Sequence, residues 1–129
     1  MSAPLQLTLT AVGGEGFQVT PALVDFNLRL VFSGSGDMNA TGVINEYLKL
    51  VHEEALRLGL AQVSCDFKLL TFMNSSCFKS FVVWIDTVKN SEVRYQIAFL
   101  TNPNLPWQRR SLEALRRLAA NLVTIETIA

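Results

Sequence analysis

The run Ala61-Gln62-Val63-Ser64-Cys65-Asp66-Phe67-Lys68-Leu69-Leu70-Thr71-Phe72-Met73, continuing into Asn74-Ser75-Ser76, decides how this chain is read. Val63, Cys65, Phe67, Leu69, Leu70 and Phe72 crowd the first part with few charges between them, the composition of a central strand covered on much of both faces. Asn74, Ser75 and Ser76 then supply short side chains with oxygen acceptors. Such side chains satisfy backbone N–H groups that have no partner in the first turn of a helix. The helix they open carries Phe78, Phe81, Val82, Ile85 and Val88 at spacings of three and four, and is expected to end near Lys89-Asn90.

Upstream, Val43, Ile44, Tyr47, Leu48, Val51, Ala55 and Leu58 form one apolar stripe of a helix starting near Asn39. Gly59 closes it as a C-terminal cap. Phe26 to Phe32 alternates as a strand, and Ser33-Gly34-Ser35-Gly36-Asp37 reads as loop. Leu5 to Val12 alternates as an opening strand that runs into Gly13-Gly14. The connection between these two strands is long for a hairpin and is expected to hold irregular structure or an extra short strand.

Downstream, Tyr95 to Leu100 is an apolar strand broken by Thr101-Asn102-Pro103-Asn104. Pro106 opens a third helix with Trp107, Leu112, Leu115, Leu118, Ala119 and Leu122 on its stripe, and Val123 to Ile128 is a terminal strand. The expected order is β-β-α-β-α-β-α-β, a single α/β domain over residues 1–129. It would have a mostly parallel sheet of four to five strands, three main helices and a hairpin of the two opening strands.

Half of the 129 residues are hydrophobic, enough for one core without metal or disulfide support. Lys plus Arg and Asp plus Glu number 11 each, so no charge excess favours a nucleic acid backbone or an anionic membrane. Cys65 and Cys77 lack metal-ligand spacing and read as free thiols in a reducing compartment. The start lacks a basic, apolar leader and no run is long enough to span a bilayer, so a cytoplasmic protein is expected. No cofactor is expected for the chain.

Leu70-Thr71-Phe72-Met73-Asn74-Ser75-Ser76-Cys77-Phe78, together with the element order, resembles the STAS family, whose founding members are bacterial anti-sigma factor antagonists. There a central strand ends in an Asp-Ser-Ser-Gly-Leu type motif whose first serine is phosphorylated. Asn74 stands for the Asp, Ser75 for the phosphorylated serine, Ser76 for the second hydroxyl, Cys77 for the Gly and Phe78 for the Leu. Gly34 and Asp37 match the family's Gly-Glu-Leu-Asp turn. Asn74 to Lys79 is also similar to the SiaC-type branch, whose partner is a diguanylate cyclase. Two positions depart from the pattern: Asn74 is not acidic, and Cys77 adds a side chain where the family has Gly.

The resemblance implies a STAS-like module that acts by binding an anti-sigma factor, a serine kinase or another signalling protein. It implies regulation by an ATP-using serine kinase and a serine phosphatase, with Asp37, Asn74, Ser75, Ser76, Cys77, Phe78 and Lys79 as the partner surface. A phosphate on a serine at a helix start is stabilised by free N–H groups and the helix dipole. Its charge would break a packed protein contact.

Plainer roles stand beside these. Asn74, Ser75, Ser76 and Asp37 are ordinary caps, and Lys79 an ordinary solvated lysine. Trp84 either meets a partner or covers the rim of the core, and Arg109, Arg110, Arg116 and Arg117 make the last helix locally basic. For an enzyme the inventory is thin. His52 is the only histidine, no catalytic or nucleotide-binding motif is present, and Gly13-Gly14-Glu15-Gly16 lacks a following helix. Cys77 in Phe-rich surroundings reads as an inert thiol. The rival readings are a STAS-like scaffold that assembles constitutively, for example as a homodimer, and a small enzyme or ligand-binding domain.

Overall fold

Six strands and three helices follow one another as Val12–Gly14 (β1), Phe17–Val24 (β2), Asn27–Gly36 (β3), Met38–Leu58 (α1), Gln62–Met73 (β4), Ser75–Lys89 (α2), Gln96–Thr101 (β5), Pro106–Leu118 (α3) and Val123–Thr127 (β6). They are seen in a computed structural model that describes residues 6–127. One sheet takes the strands in sequence order, with β1, β2 and β3 antiparallel and β3 to β6 parallel. Right-handed crossovers stepping one way across a sheet put all their helices on the same face. Accordingly α1 packs on α2, and α2 on α3.

The core lies between that helical layer and the inward-facing residues Leu28, Leu30, Phe32, Val63, Cys65, Phe67, Ile97 and Phe99, all buried. Phe67 sits at its centre, with ring centroids 5.1 Å from Phe32, 5.4 Å from Phe81 and 5.5 Å from Phe99. The opposite face of the sheet carries polar pairs. There Arg29 donates to Asp66 at 2.6 Å, and Ser64 donates to Asn27.

The α1, β4, α2 and β5 spans match the sequence reading, and Gly59 caps α1 in the left-handed conformation (φ 63°, ψ 44°). Four expectations are corrected. First, residues 6–11 are not a strand, and Leu5 lies outside the described residues, as does Ile128 at the other end. The alternation is nonetheless real, because Leu7 and Leu9 pack on the core while their neighbours are exposed; the surface beneath them is α1, not a strand. Tyr47 donates to the Thr10 carbonyl, and the Arg57 guanidinium to the Gln6 carbonyl.

Second, the long connection holds β2, a full strand of eight residues, which raises the count to six strands. Pro21 is tolerated there because β1 pairs only with Phe17 to Val19, so β2 is an edge at Pro21. Third, Ser33 to Gly36 is strand, not loop. Gly34 and Gly36 pair with Leu70 and Met73 of β4, across two register shifts. Gly34 has φ +92°, and a side chain there would fall 2.0 Å from the Gly16 carbonyl oxygen, a crowding that only glycine avoids. The third helix is also shorter than expected, ending at Leu118, with Ala119 and Leu122 buried in the turn that follows.

Beneath the N-terminal segment, the buried Glu54 carboxylate accepts from the Thr8 N–H (2.6 Å), the Thr8 hydroxyl (2.7 Å) and Arg57 Nε (2.7 Å). The Arg57 hydrogen bond, helped by Thr8 and opposed by burial, lowers its pKa to about 2. A depressed carboxylate stabilises the fold above its ordinary pKa of 4.5 and loses that contribution as pH falls toward about 2. Glu54→Gln is therefore expected to cost about 2 kcal/mol at pH 7 and progressively less below pH ~4, read by urea unfolding across pH.

Among the described residues no helix is long and apolar enough to cross a membrane.

Candidate functional site

Two helices begin side by side where β3 and β4 end. The last pair of the β3–β4 ladder is Gly36 with Met73, so the chain leaves the sheet at Asp37 and Asn74 together. The Asn74 N–H donates to the Gly36 carbonyl at 2.8 Å, joining the two exits. Gly36 permits this closeness, since an added Cβ would stand 3.0 Å from the Phe72 carbonyl oxygen.

Each exit residue caps its helix. Asp37 Oδ1 accepts from the Asn39 N–H, and Asn74 Oδ1 from the Cys77 N–H, both at 2.9 Å. The Phe78 N–H donates to the Asn74 carbonyl at 3.0 Å. Of the first-turn donors of α2, those of Ser75 and Ser76 are the two left to meet something outside the helix.

Ser75, Ser76, Lys79 and Asp37 are exposed, while Asn74 and Phe78 are half-buried, Phe78 packing against the core. Cys77 has no exposed surface. Its thiol lies 3.4 Å from the Gly36 carbonyl oxygen, and 3.5 Å from both the Asp37 carbonyl oxygen and Thr41 Oγ1. Cys77 therefore cannot be part of a contact surface as expected from the sequence; it links the two helix starts from beneath. Burial pushes its thiol pKa up, which keeps it protonated and unreactive.

Two apolar residues at this end escaped sequence reasoning. Met38 is 81% exposed at the start of α1, and Phe72 is 50% exposed at the end of β4. The sequence pattern places Phe72 in a covered strand. The register shifts in β4 place both Phe67 and Leu70 inward and turn Leu69 and Phe72 outward. The adjacent pair Leu69-Leu70 is the one sequence signal that regular alternation fails there.

The remaining candidates lie elsewhere. Trp84 is buried, so its place is in the core and not on a partner surface; its Nε1 donates to the Tyr95 hydroxyl at 3.0 Å. His52, half-buried on α1, contacts the same hydroxyl. Arg109, Arg110 and Arg117 are exposed on α3, and Arg116 pairs with Glu113. Among the described residues no group of three or more His, Cys, Asp or Glu could hold a metal.

A sequence-ordered sheet with an antiparallel start, helices on one face and two helix starts paired at the strand ends defines a STAS-like fold. Solved structures bear this out. An anti-sigma factor antagonist from Mycobacterium paratuberculosis superposes with a TM-score of 0.63 at 13% identity, covering 84% of this chain and 86% of the other. A chain of the complex of the diguanylate cyclase SiaD with its activator SiaC, from Pseudomonas aeruginosa, gives 0.66 at 14% identity over 92% and 98%. The anti-sigma factor antagonist SpoIIAA in its unphosphorylated form gives 0.56 at 14% identity over 84% and 88%. No protein-family model and no curated protein sequence matches this chain. At these identities the likeness is one of fold.

Proposed function

We propose that this chain is a regulatory protein-binding module of a bacterial partner-switching system, working in the cytoplasm without catalysis of its own. The observation that carries the reading is the exposed Ser75 at the first position of α2, beside two first-turn N–H donors and the start of α1. Unphosphorylated, the surface of Asp37, Ser75, Ser76, Phe78 and Lys79, framed by Asn74, Met38 and Phe72, captures a signalling protein such as an anti-sigma factor or a serine kinase. Phosphorylation of Ser75 places nearly two negative charges in that contact and releases the partner; a serine phosphatase restores it. The solved antagonists and the SiaD–SiaC complex support the reading through the shared fold.

Peptide mass spectrometry of the protein isolated from its native cells is expected to find a phosphate on Ser75, absent from Ser75→Ala. An unmodified Ser75 across growth and stress conditions would exclude the switch and leave a constitutive scaffold.

A further inference from the structure

The buried Tyr95 hydroxyl, just ahead of β5, joins two helices that do not otherwise share a polar contact there. It stands 3.0 Å from Trp84 Nε1 on α2 and 2.8 Å from His52 Nδ1 on α1. The chemistry of the three groups fixes the direction of the first bond and favours one direction for the second. An indole N–H only donates, so Tyr95 must accept from Trp84. Its own proton is paired only if it goes to His52 Nδ1, so the arrangement that leaves no buried donor unpaired gives Nδ1 the lone pair. The imidazole is therefore neutral with its proton on Nε2.

We propose that His52 is a proton-sensitive latch: neutral, it ties α1 to the start of β5 and, through Tyr95, to α2; protonated, it loses the acceptor lone pair and releases that tie. An imidazolium has two donors and no acceptor. Protonation at Nδ1 would confront the Tyr95 hydroxyl with two donors and strand its own proton in a buried site, a loss costly enough to favour opening.

The proton has a route. A cavity of about 220 Å³ between α1 and α2 is lined by His52, Trp84, Asn45, Lys49, Glu53 and Ser80, among others, and opens to solvent. Its charged lining comes from α1 alone. Lys49 and Glu53 oppose each other in sign; Ser80, Val83, Trp84 and Thr87 of α2 are uncharged. From the sheet side, Tyr95 is held neutral by burial, as is the nearby Cys65 on β4. Burial lowers the His52 pKa, and Glu53 offsets part of that. A base with a depressed pKa leaves stability unchanged above its ordinary value of 6.5 and diminishes it as pH falls through the folded value. The latch therefore opens on acidification.

His52 is the only histidine, so its NMR titration is unambiguous. The neutral ring is expected as the Nε2–H tautomer, with an apparent pKa below 6.5. The Trp84 indole N–H resonance should shift along the same titration curve. In Tyr95→Phe, where the neutral ring loses its donor, the His52 pKa should rise toward 6.5. In His52→Gln, whose amide oxygen still accepts from Tyr95 but does not titrate, the fall in stability between pH 7 and 5 should shrink. An Nδ1–H tautomer, a pKa at or above 6.5, or a Trp84 resonance indifferent to the titration would each overturn the latch.

Discussion

Gln108→Leu is expected to lower the unfolding free energy by about 4 kcal/mol, although leucine nearly matches glutamine in volume and the site is in the core. Gln108 has no exposed surface. Its amide nitrogen donates to the carbonyls of Phe67 and Leu70, and its amide oxygen accepts from the Asn102 N–H at 2.9 Å. Those carbonyls need a side chain because β4 pairs with β5 only as far as Asp66 and Leu100. Beyond that point β4 runs on toward α2 with no strand on that side, and Asn102 Nδ2 supplies the carbonyl of Lys68 in the same way.

Leucine would leave the buried carbonyls of Phe67 and Leu70 and the part-buried Asn102 N–H without partners, at about 1–3 kcal/mol each before relaxation. The cost is one of lost hydrogen bonds and not of a cavity. Urea denaturation followed by circular dichroism measures it, and a loss under about 1 kcal/mol would mean that the freed groups find water or one another. The position also matters for the candidate site. The irregular stretch that Gln108 holds is the one that turns Leu69 and Phe72 outward and delivers Asn74 to the end of β3.

Ser75→Asp is expected to weaken capture of the signalling partner by about two orders of magnitude, since a charge desolvated in a packed interface against unfavourable neighbours costs several kcal/mol. Asp37 already places one carboxylate at the adjoining helix start. The same substitution is expected to stabilise the isolated module by about 0.5 kcal/mol, because an acidic residue in the first turn complements the helix dipole and α2 has none there. Binding and stability should thus move in opposite directions, which separates a switch from a damaged fold. Isothermal titration with the partner recovered from native cells, alongside thermal unfolding, reads both quantities. Ser75→Asn, neutral and of the same size, serves as the control. Retention of affinity within about threefold in Ser75→Asp would favour a scaffold that binds regardless of charge at this position.

The parts of this architecture that follow from local chemistry were legible in the sequence. The stripe from Val43 to Leu58 with its glycine cap, the short oxygen-bearing side chains before Cys77 and the apolar run into Met73 each specify an element through residues a few positions apart. The place of Ser75 at the start of α2 follows from the same local rules, since a capping residue acts on the turn beside it.

What tertiary structure alone decided are the cases where one pattern satisfies two partners. Alternation at Leu7 and Leu9 specifies an extended segment with one covered face, but not whether a strand or α1 covers it. Ser33-Gly34-Ser35-Gly36 has the composition of a loop. At Gly34 the Gly16 carbonyl approaches so closely that only glycine fits, Gly36 lies tight against the Phe72 carbonyl, and both approaches exist only once the sheet has formed. Trp84 lies off the stripe of its own helix, and it is buried because Tyr95, eleven residues later, brings a hydroxyl to its indole nitrogen. Cys77, standing where the family motif has glycine, reaches across to the carbonyls of Gly36 and Asp37. Periodicity reports which face of a segment is covered; the identity of the group covering it is set by contacts distant in sequence, and those arise only when the chain closes on itself.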